Sequence, residues 1–322
     1  MRVFVTGATG FIGKHLVPKL RARGHDVVAL VRSPHRAGRV RELGVELVEG
    51  DVSDPAAVRA SLDGCETVFH VAGVYRVGIR RAERPAMYDA NVRGTEVVLD
   101  AAAEGGISRI LYVSTCNVFG NTRGRIVDEA YERPAAHGFL SYYDETKYLA
   151  HRAAVDGIRR GVPVVIVQPG GVYGPGDHSE IGWMIEQLRQ GRLRVRLFPD
   201  LGMNFVHVED VAEGIALAHE RGRLGEAYVL GGEIATMGDL IDRAASLLGR
   251  RPPRRAVPAW LVRMTAPVGP LAARLIGSPP NLAEAVRAAH GVTYWATDAK
   301  ARRELGYAPR PLDEGLRQTL AG

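Results

Sequence analysis

The chain has 322 residues, a length that fits one large domain or two unequal ones. Of these residues 46% are hydrophobic and 24% charged, a composition typical of a globular protein. No apolar run reaches the roughly 18 residues that span a bilayer, and the net charge of +6 comes from scattered arginines, so neither stable membrane insertion nor a nucleic-acid partner is expected. The N-terminus does not resemble a signal peptide, and Cys65 and Cys116 are the only cysteines, so we predict a cytoplasmic protein without a disulfide framework.

The first half of the chain alternates short β-branched runs with helical periodicity, which predicts a parallel sheet covered by helices on both faces. Predicted strands cover residues 3–6, 26–31, 46–48, 67–71, 110–113 and 164–168. Predicted helices cover residues 12–23, 36–43, 55–62, 86–104 and 141–160. Gly24, Gly105 and Gly161 follow last helical turns, as is typical of helix ends. The predicted class is therefore α/β, with a Rossmann-type doubly wound parallel sheet.

This alternation stops after about Gly171. A helix at 180–190, a strand near 193–197, a helix at 211–220 and a strand at 227–230 precede a mostly helical remainder. We predict a dinucleotide-binding domain at 1–170, to which 201–231 returns. Residues 171–200 and 232–322 would form a smaller, mostly helical C-terminal substrate lobe. The apolar stretch 257–276 is predicted to be a packed helical segment of that lobe, because two arginines and three prolines interrupt it.

A glycine-rich turn joins the first strand to the first helix. Gly7, Gly10 and Gly13 have the spacing G-x-x-G-x-x-G, and a Cβ at such positions would obstruct the approach of a pyrophosphate to the helix N-terminus. Its place at the start of a βαβ unit distinguishes it from an ordinary glycine turn. The candidate phosphate-binding residues are Gly7, Thr9, Gly10, Phe11, Ile12 and Gly13.

The end of the second strand indicates which dinucleotide is preferred. An NAD site commonly has an acidic residue there that accepts a hydrogen bond from the ribose 2′-hydroxyl. This chain instead has Arg32 and Ser33, with Arg36 close behind, and Asp26 comes too early in the strand. A guanidinium at this point suits a 2′-phosphate, which favours NADP(H) over NAD(H).

A tyrosine and a lysine lie four residues apart in the predicted helix 141–160. Tyr143 and Lys147 therefore share one helix face. A free phenol titrates near pH ~10, and a nearby ammonium favours the phenolate, so we expect Lys147 to lower the pKa of Tyr143 toward neutrality. Such a pair is typical of proton transfer, although an ordinary surface pair has the same spacing.

Taken together, the chain resembles the extended short-chain dehydrogenases/reductases, the NAD-dependent epimerase/dehydratase family, over nearly its whole length. The resemblance rests on the glycine turn, on Tyr143 and Lys147, and on further blocks at residues 50–52, 70–73, 91–95, 112–120, 169–177 and 204–212.

The resemblance implies roles for individual residues. Thr115, with Ser114 as the alternative, would hydrogen-bond the substrate oxygen, and Tyr143 would exchange its proton. Lys147 would hold the nicotinamide ribose. Further residues that the resemblance places against the cofactor are Asp51, Val52, Val71, Ala72, Gly73, Val113, Pro169, Gly170, Gly171 and Val172. It also implies a homodimer that pairs the helices at 86–104 and 141–160.

Other features narrow the chemistry. Cys116 and Asn117 occupy the places where sugar-nucleotide dehydratases of the family have acids, and Met203 and Gln168 replace an Arg and an Asn found in many epimerases. His70 and His207 are unclustered, so no metal site is expected. These features favour the dihydroflavonol-reductase-like branch, close to hopanoid-associated sugar epimerases.

We therefore predict NADP(H)-dependent interconversion of a ketone and a secondary alcohol on a hydrophobic small molecule. A sugar or nucleotide-sugar epimerase with tightly bound NAD(P), and a non-catalytic dinucleotide sensor, remain alternatives. The pocket would be lined from apolar and aromatic residues of the second lobe, although each of them can equally be a core residue. The candidates are Trp183, Met184, Met203, Trp260 and Met264.

Overall fold

The main sheet of this computed structural model, which describes residues 1–258 and 281–321, has seven strands. They are β1 (Arg2–Thr6), β2 (Asp26–Val31), β3 (Glu46–Glu49), β4 (Thr67–His70), β5 (Arg109–Val113), β6 (Val164–Pro169) and β9 (Ala227–Leu230). All neighbouring strands are parallel, in the order β3-β2-β1-β4-β5-β6-β9. Because β1 to β3 extend to one side and β4 onward to the other, the direction of winding reverses between β1 and β4, and a cleft opens there.

Helices cover both faces of this sheet. In the first half they are α1 (Gly13–Ala22), α2 (Gly38–Arg41), α3 (Pro55–Ser61), α4 (Arg84–Tyr88), α5 (Gly94–Glu104) and α6 (Tyr142–Arg159). One π turn, Asp89–Arg93, joins α4 to α5. The N-terminus of α6 is capped by the hydroxyl of Ser141, which accepts a hydrogen bond from Asp144 N at 3.1 Å. The cap sets the start of α6, and with it the positions of the side chains one and two turns later.

The second lobe contains a small sheet of its own. Strands β7 (Gly171–Tyr173), β8 (Gly202–His207) and β10 (Glu233–Thr236) lie in the order β10-β8-β7, with β8 antiparallel to β10 and parallel to β7. The helices of this half, within the described residues, are α7 (Glu180–Arg189), α8 (Val208–Arg221), α9 (Met237–Leu247), α10 (Leu282–Ala289), α11 (Ala299–Leu305) and α12 (Leu312–Ala321). Side chains of α7, α9 and α12 pack on this sheet in a separate hydrophobic cluster.

The strand predicted at 227–230 forms as β9, the seventh strand of the main sheet. Two other sequence-based expectations are corrected by the structure. The second lobe is not only helical, because β7, β8 and β10 form a sheet, and these strands have only three to six residues each. The strand expected near 193–197 does not form; a single bridge between Arg196 and Ala256 lies there instead. The predicted segment 257–276 lies largely outside the described residues, as do Trp260 and Met264. No helix in the described part of the chain is long and apolar enough to cross a membrane.

Candidate active site

A cleft of about 380 Å³ lies at the carboxyl ends of β1, β4, β5 and β6. It is the position at which parallel α/β sheets bind ligands. The cleft brings together most of the predicted site residues: Gly7, Gly10, Phe11, Ile12, Gly13, Val71, Ala72, Gly73, Val113, Thr115, Tyr143, Lys147, Pro169, Gly170, Gly171 and Val172.

The glycine turn at the floor of the cleft has no room for side chains. Gly7 has φ +75°, and a Cβ on it would lie 2.7 Å from Ala72 N. A Cβ on Gly13 would lie 2.1 Å from the carbonyl oxygen of Gly7. Gly10 is more open, since its Cβ would meet that oxygen at 3.1 Å, and it is exposed toward the cleft. This cradle, at the N-terminus of α1, fits the pyrophosphate of a dinucleotide.

A buried hydrogen-bond chain joins the end of β1 to the end of β4, next to the glycine turn. Thr95 Oγ1 donates to the carbonyl of Asn91 at 2.7 Å, so it accepts from His70 Nε2 at 3.0 Å. His70 Nδ1 then accepts from Thr6 Oγ1 at 2.8 Å, and Thr6 Oγ1 accepts from Ala72 N at 3.2 Å. Burial lowers the pKa of His70 to about 3, which keeps the ring neutral. His70 is therefore a structural residue, and every polar atom of its ring has a partner.

Tyr143 and Lys147 lie on consecutive turns of α6, and both side chains are buried at the cleft. Lys147 Nζ donates to the carbonyl of Val113 at 3.1 Å and lies 5.2 Å from the centre of the Tyr112 ring. Burial lowers the pKa of Lys147 to about 8. The ammonium is thus anchored to the end of β5 and can still titrate in a physiologically accessible range.

The phenol of Tyr143 does not have the lowered pKa expected from the sequence. Burial raises the pKa of Tyr143 above its ordinary value, and the neighbouring hydroxyl of Thr115 partly offsets this effect. Lys147 is not among the causes of the shift. The reason is that α6 directs the ammonium of Lys147 to the carbonyl of Val113. Desolvation therefore outweighs the charge that the i, i+4 spacing suggested.

The two candidate hydroxyls after β5 have different partners. Ser114 Oγ lies 3.0 Å from His151 Nδ1 on α6. Thr115 Oγ1 accepts from Asn117 N and donates to Asn117 Oδ1, both at 3.2 Å, and its backbone is extended at φ −168°. Both hydroxyls line the cleft, but the hydroxyl of Thr115 is the one that affects the pKa of Tyr143.

A buried ion pair fixes the first turn of α6 beside Tyr143. Arg133 donates from both terminal nitrogens to the carboxylate of Asp144, at 2.7 and 2.8 Å, and Leu140 N donates to the same carboxylate at 2.9 Å. The side chains of Arg133 and Asp144 are only 5% and 0% exposed. The loop that precedes α6 is therefore bound to the residue that follows the tyrosine.

Some predicted cofactor residues lie outside the cleft. Arg32 and Asp51 line a neighbouring cavity of about 520 Å³, beyond the ends of β2 and β3. Asp51 Oδ1 accepts from Ser53 N and Ser53 Oγ at 3.0 and 2.8 Å, and so caps the turn before α3. The others line neither cavity and lie in the turns after β1, β2 and β3: Thr9, Ser33, Arg36 and Val52.

The cleft also includes residues that the sequence did not single out as ligand contacts. These residues are Val74, Tyr75, Asn117, Asp177, His178, Ser179 and Ile181. The sequence did carry a signal for some of them. Val74 and His178 directly follow blocks of the family resemblance, and Asn117 and Asp177 lie inside such blocks. Of the predicted apolar candidates, Met203 lines the cleft, Met184 is 5% exposed in the core of the second lobe, and Trp183 is 49% exposed on α7. In the described part of the chain, no group of three or more His, Cys, Asp or Glu side chains is placed to hold a metal ion.

Comparisons with known proteins agree with this geometry. The NAD dependent epimerase/dehydratase family matches residues 3–231. A Stigmatella aurantiaca protein named 4-hydroxy-2-methyl-3-oxo-4-farnesyl-3,4-dihydroquinoline-1-oxide ketoreductase is 33% identical, over 96% of this chain and 92% of its own.

Two solved structures share the fold over almost the whole chain. The crystal structure of gox2253 is 35% identical, with a TM-score of 0.84 over 99% of this chain and 96% of that one. DesIV, a dTDP-glucose 4,6-dehydratase from Streptomyces venezuelae solved with NAD bound, is 26% identical, with a TM-score of 0.79 over 100% of this chain and 96% of that one. The chain belongs to the NAD dependent epimerase/dehydratase family and is an enzyme of the extended short-chain dehydrogenase/reductase type, which uses an NAD(H)-type dinucleotide.

Proposed function

We propose that this enzyme interconverts a ketone and a secondary alcohol on a hydrophobic small molecule, with NADP(H) as the preferred cofactor. One observation carries the proposal: Thr115, Tyr143 and Lys147 line one cleft with the glycine turn, and Lys147 is the only Lys or Arg side chain among the described residues that line it. Among the described lining residues, no further basic side chain is left for a nucleotide diphosphate, and leaving such a charge without one is costly. A neutral substrate has no such requirement.

The proposed mechanism assigns one task to each side chain. When bound, the nicotinamide supplies or receives the hydride. In the direction of reduction, the hydroxyl of Thr115 donates a hydrogen bond to the carbonyl oxygen, and Tyr143 gives its phenol proton to that oxygen. Burial raises the pKa of Tyr143, so the phenol holds its proton until the substrate oxygen takes it up. Lys147, one turn behind and bound to the carbonyl of Val113, would hold the ribose of the nicotinamide, as the family resemblance implies.

This chain has Cys116 and Asn117 at the positions where dehydratases of the family have acids. These two residues support redox chemistry rather than elimination of water. Cys116 is 1% exposed, its Sγ donates to the carbonyl of Gln168 at 3.3 Å, and burial raises the pKa of its thiol to about 12. Asn117 is neutral and bound to Thr115. Neither side chain can serve as the acid or base of a dehydration near neutral pH.

The preference for NADP(H) rests on Arg32. Strand β2 ends at Val31 without an acidic residue, and Arg32 follows it, exposed, at the rim of the second cavity. Within residues 1–258 and 281–321 the guanidinium makes no ion pair or hydrogen bond, so it is available for a phosphate. Asp51, an acid that lines the same cavity, is engaged with Ser53.

An epimerase that retains its cofactor is the second candidate. The observation that favours it is the similarity to DesIV, whose reaction also acts on a sugar nucleotide. Such an enzyme would carry NAD(P) through purification and would not oxidise added NADPH. As further proposals we retain a homodimer, formed through α5 and α6 as the family resemblance implies, and a cytoplasmic location.

Titration with NADPH and NADH, followed by nicotinamide fluorescence and then by addition of aromatic and alicyclic ketones, tests the proposal. We expect tighter binding of NADPH, and oxidation with a ketone that is lost in Tyr143→Phe. Arg32→Ser should weaken NADPH binding by about tenfold or more, the contribution of a charge-assisted hydrogen bond, and leave NADH binding unchanged. Arg39→Ser, at an exposed arginine that lines neither cavity, is the matched control. Tighter NADH binding, or cofactor that remains bound and is not turned over, would favour the epimerase.

A further inference from the structure

Tyr75 occupies an unusual position at the mouth of the cleft. Its ring lies 4.8 Å from the ring of Tyr143, centre to centre, at an interplanar angle of 83°, which is an edge-to-face contact. Tyr75 is 48% exposed although it is a large aromatic residue, and it lines the cleft. An exposed aromatic face next to the proton donor is a ready contact surface for a ligand.

The segment that carries Tyr75 is held from within the dinucleotide-binding half. Val74 N donates to Asn91 Oδ1 at 2.7 Å, and Asn91 Nδ2 returns a hydrogen bond to the carbonyl of Val74 at 3.1 Å. Asn91 Nδ2 also donates to Thr146 Oγ1 on α6 at 3.0 Å. The backbone just before Tyr75 is thereby connected to the helix that carries Tyr143.

The second lobe holds the same segment from the other side. The hydroxyl of Tyr75 donates to Glu180 Oε2 at the start of α7, at 3.0 Å. Glu284 accepts from Gly78 N at 3.2 Å, and Asn281 N donates to the carbonyl of Gly78 at 2.8 Å. Glu284 also accepts from Tyr142 N, the first residue of α6, at 3.1 Å. Tyr75 is thus fixed on both sides, and its ring has a defined orientation beside Tyr143.

We propose that Tyr75 is a specificity-determining residue, whose ring forms one wall of the carbonyl site and selects ketones with a flat ring next to the reacting carbon. The inference rests on the proposed function, because it names the substrate class for that reaction. A planar ring placed on the exposed face of Tyr75 gains an aromatic contact that a flexible chain of equal size does not. The pre-oriented ring also costs little side-chain entropy on binding.

The test compares two ketones of equal carbon count, the fused-ring 1-tetralone and the linear 2-decanone, in the whole enzyme with NADPH. In Tyr75→Leu we expect KM for 1-tetralone to rise about tenfold, while KM for 2-decanone and NADPH affinity stay within about threefold. Tyr75→Phe keeps the ring and should stay within about threefold of wild type for both ketones. Tyr88→Leu, at a tyrosine 40% exposed on α4 and outside the cleft lining, controls for loss of a surface aromatic residue.

Equal losses for both ketones in Tyr75→Leu, or a Tyr75→Phe enzyme as impaired as Tyr75→Leu, would overturn the inference. Failure of the proposed function looks different, because wild-type enzyme would then bind NADPH and reduce neither ketone. In that case the dissociation constant of 1-tetralone for the enzyme–NADPH complex, measured by quenching of NADPH fluorescence, decides about Tyr75. A constant that does not rise in Tyr75→Leu, or wild-type protein that does not bind 1-tetralone, counts against its role.

Discussion

The ion pair between Arg133 and Asp144 allows a quantitative prediction about stability. The carboxylate receives both terminal nitrogens of Arg133, at 2.7 and 2.8 Å, and the two side chains are 5% and 0% exposed. Asp144→Asn removes the negative charge but leaves the guanidinium buried. An uncompensated buried charge costs about 3–5 kcal/mol, which is a large fraction of the roughly 5–15 kcal/mol that stabilises a typical folded domain.

Helix α6 also provides the matched control. Asp156 pairs with Arg159 at 2.8 Å, but these side chains are 51% and 61% exposed. Asp156→Asn is the same chemical change in the same helix, and it should lower the free energy of unfolding by less than about 1 kcal/mol. The two substitutions therefore separate the effect of burial from the effect of removing a carboxylate.

Urea denaturation followed by far-UV circular dichroism measures both variants. We expect the midpoint of Asp144→Asn to fall well below that of Asp156→Asn, with similar slopes. A third variant, with Arg133→Met and Asp144→Leu combined, should recover much of the loss, since no charge then remains buried. If Asp144→Asn and Asp156→Asn were equally stable, the reasoning from burial would be refuted.

Three further predictions concern the cleft and a buried residue beside it. Gly13→Ala should abolish dinucleotide binding or folding, because its Cβ would lie 2.1 Å from the carbonyl oxygen of Gly7, whereas Gly38→Ala, with no atom within 4 Å, should bind as wild type in a fluorescence titration. The free energy of unfolding should fall as the pH drops from 6.5 toward 3, since the unfolded chain takes up a proton at His70 that the native state binds only near pH 3, and His70→Asn should flatten this dependence in urea melts. The value of kcat/KM should decline as the pH rises through about 8, where Lys147 loses its proton, and a profile that stays flat above that pH would contradict the role given to the ammonium.

Most of the cofactor half of the cleft could be predicted from the sequence because its signals are local. The glycine spacing of the turn after β1 and the four-residue interval from Tyr143 to Lys147 each specify geometry within one element. Once the strands are parallel, their carboxyl ends meet at one edge of the sheet, so motifs that follow strands come together. The predicted residues after β1, β4, β5 and β6 accordingly line one cleft.

The part of the cleft next to the second lobe could not be predicted in the same way. The contacts that shape it join distant parts of the chain, as when Tyr75 binds Glu180 across 105 positions. The strands of the small sheet are short and carry little periodicity, so their pairing is visible only once β8 lies between β7 and β10. Met184 and Met203 looked equivalent in sequence, yet one packs in the core and the other reaches the cleft.

By itself, then, the sequence determined the parallel sheet, the dinucleotide turn and the pairing of Tyr143 with Lys147 on one helix face. The tertiary structure decided the electrostatics of that pair. Burial of the phenol raises the pKa of Tyr143, and the carbonyl of Val113 binds the ammonium of Lys147. It also decided that the ring of Tyr75 lies against the ring of Tyr143. The physical reason is that spacing along a helix sets which side chains share a face, whereas desolvation and long-range contacts depend on what the rest of the chain packs against that face.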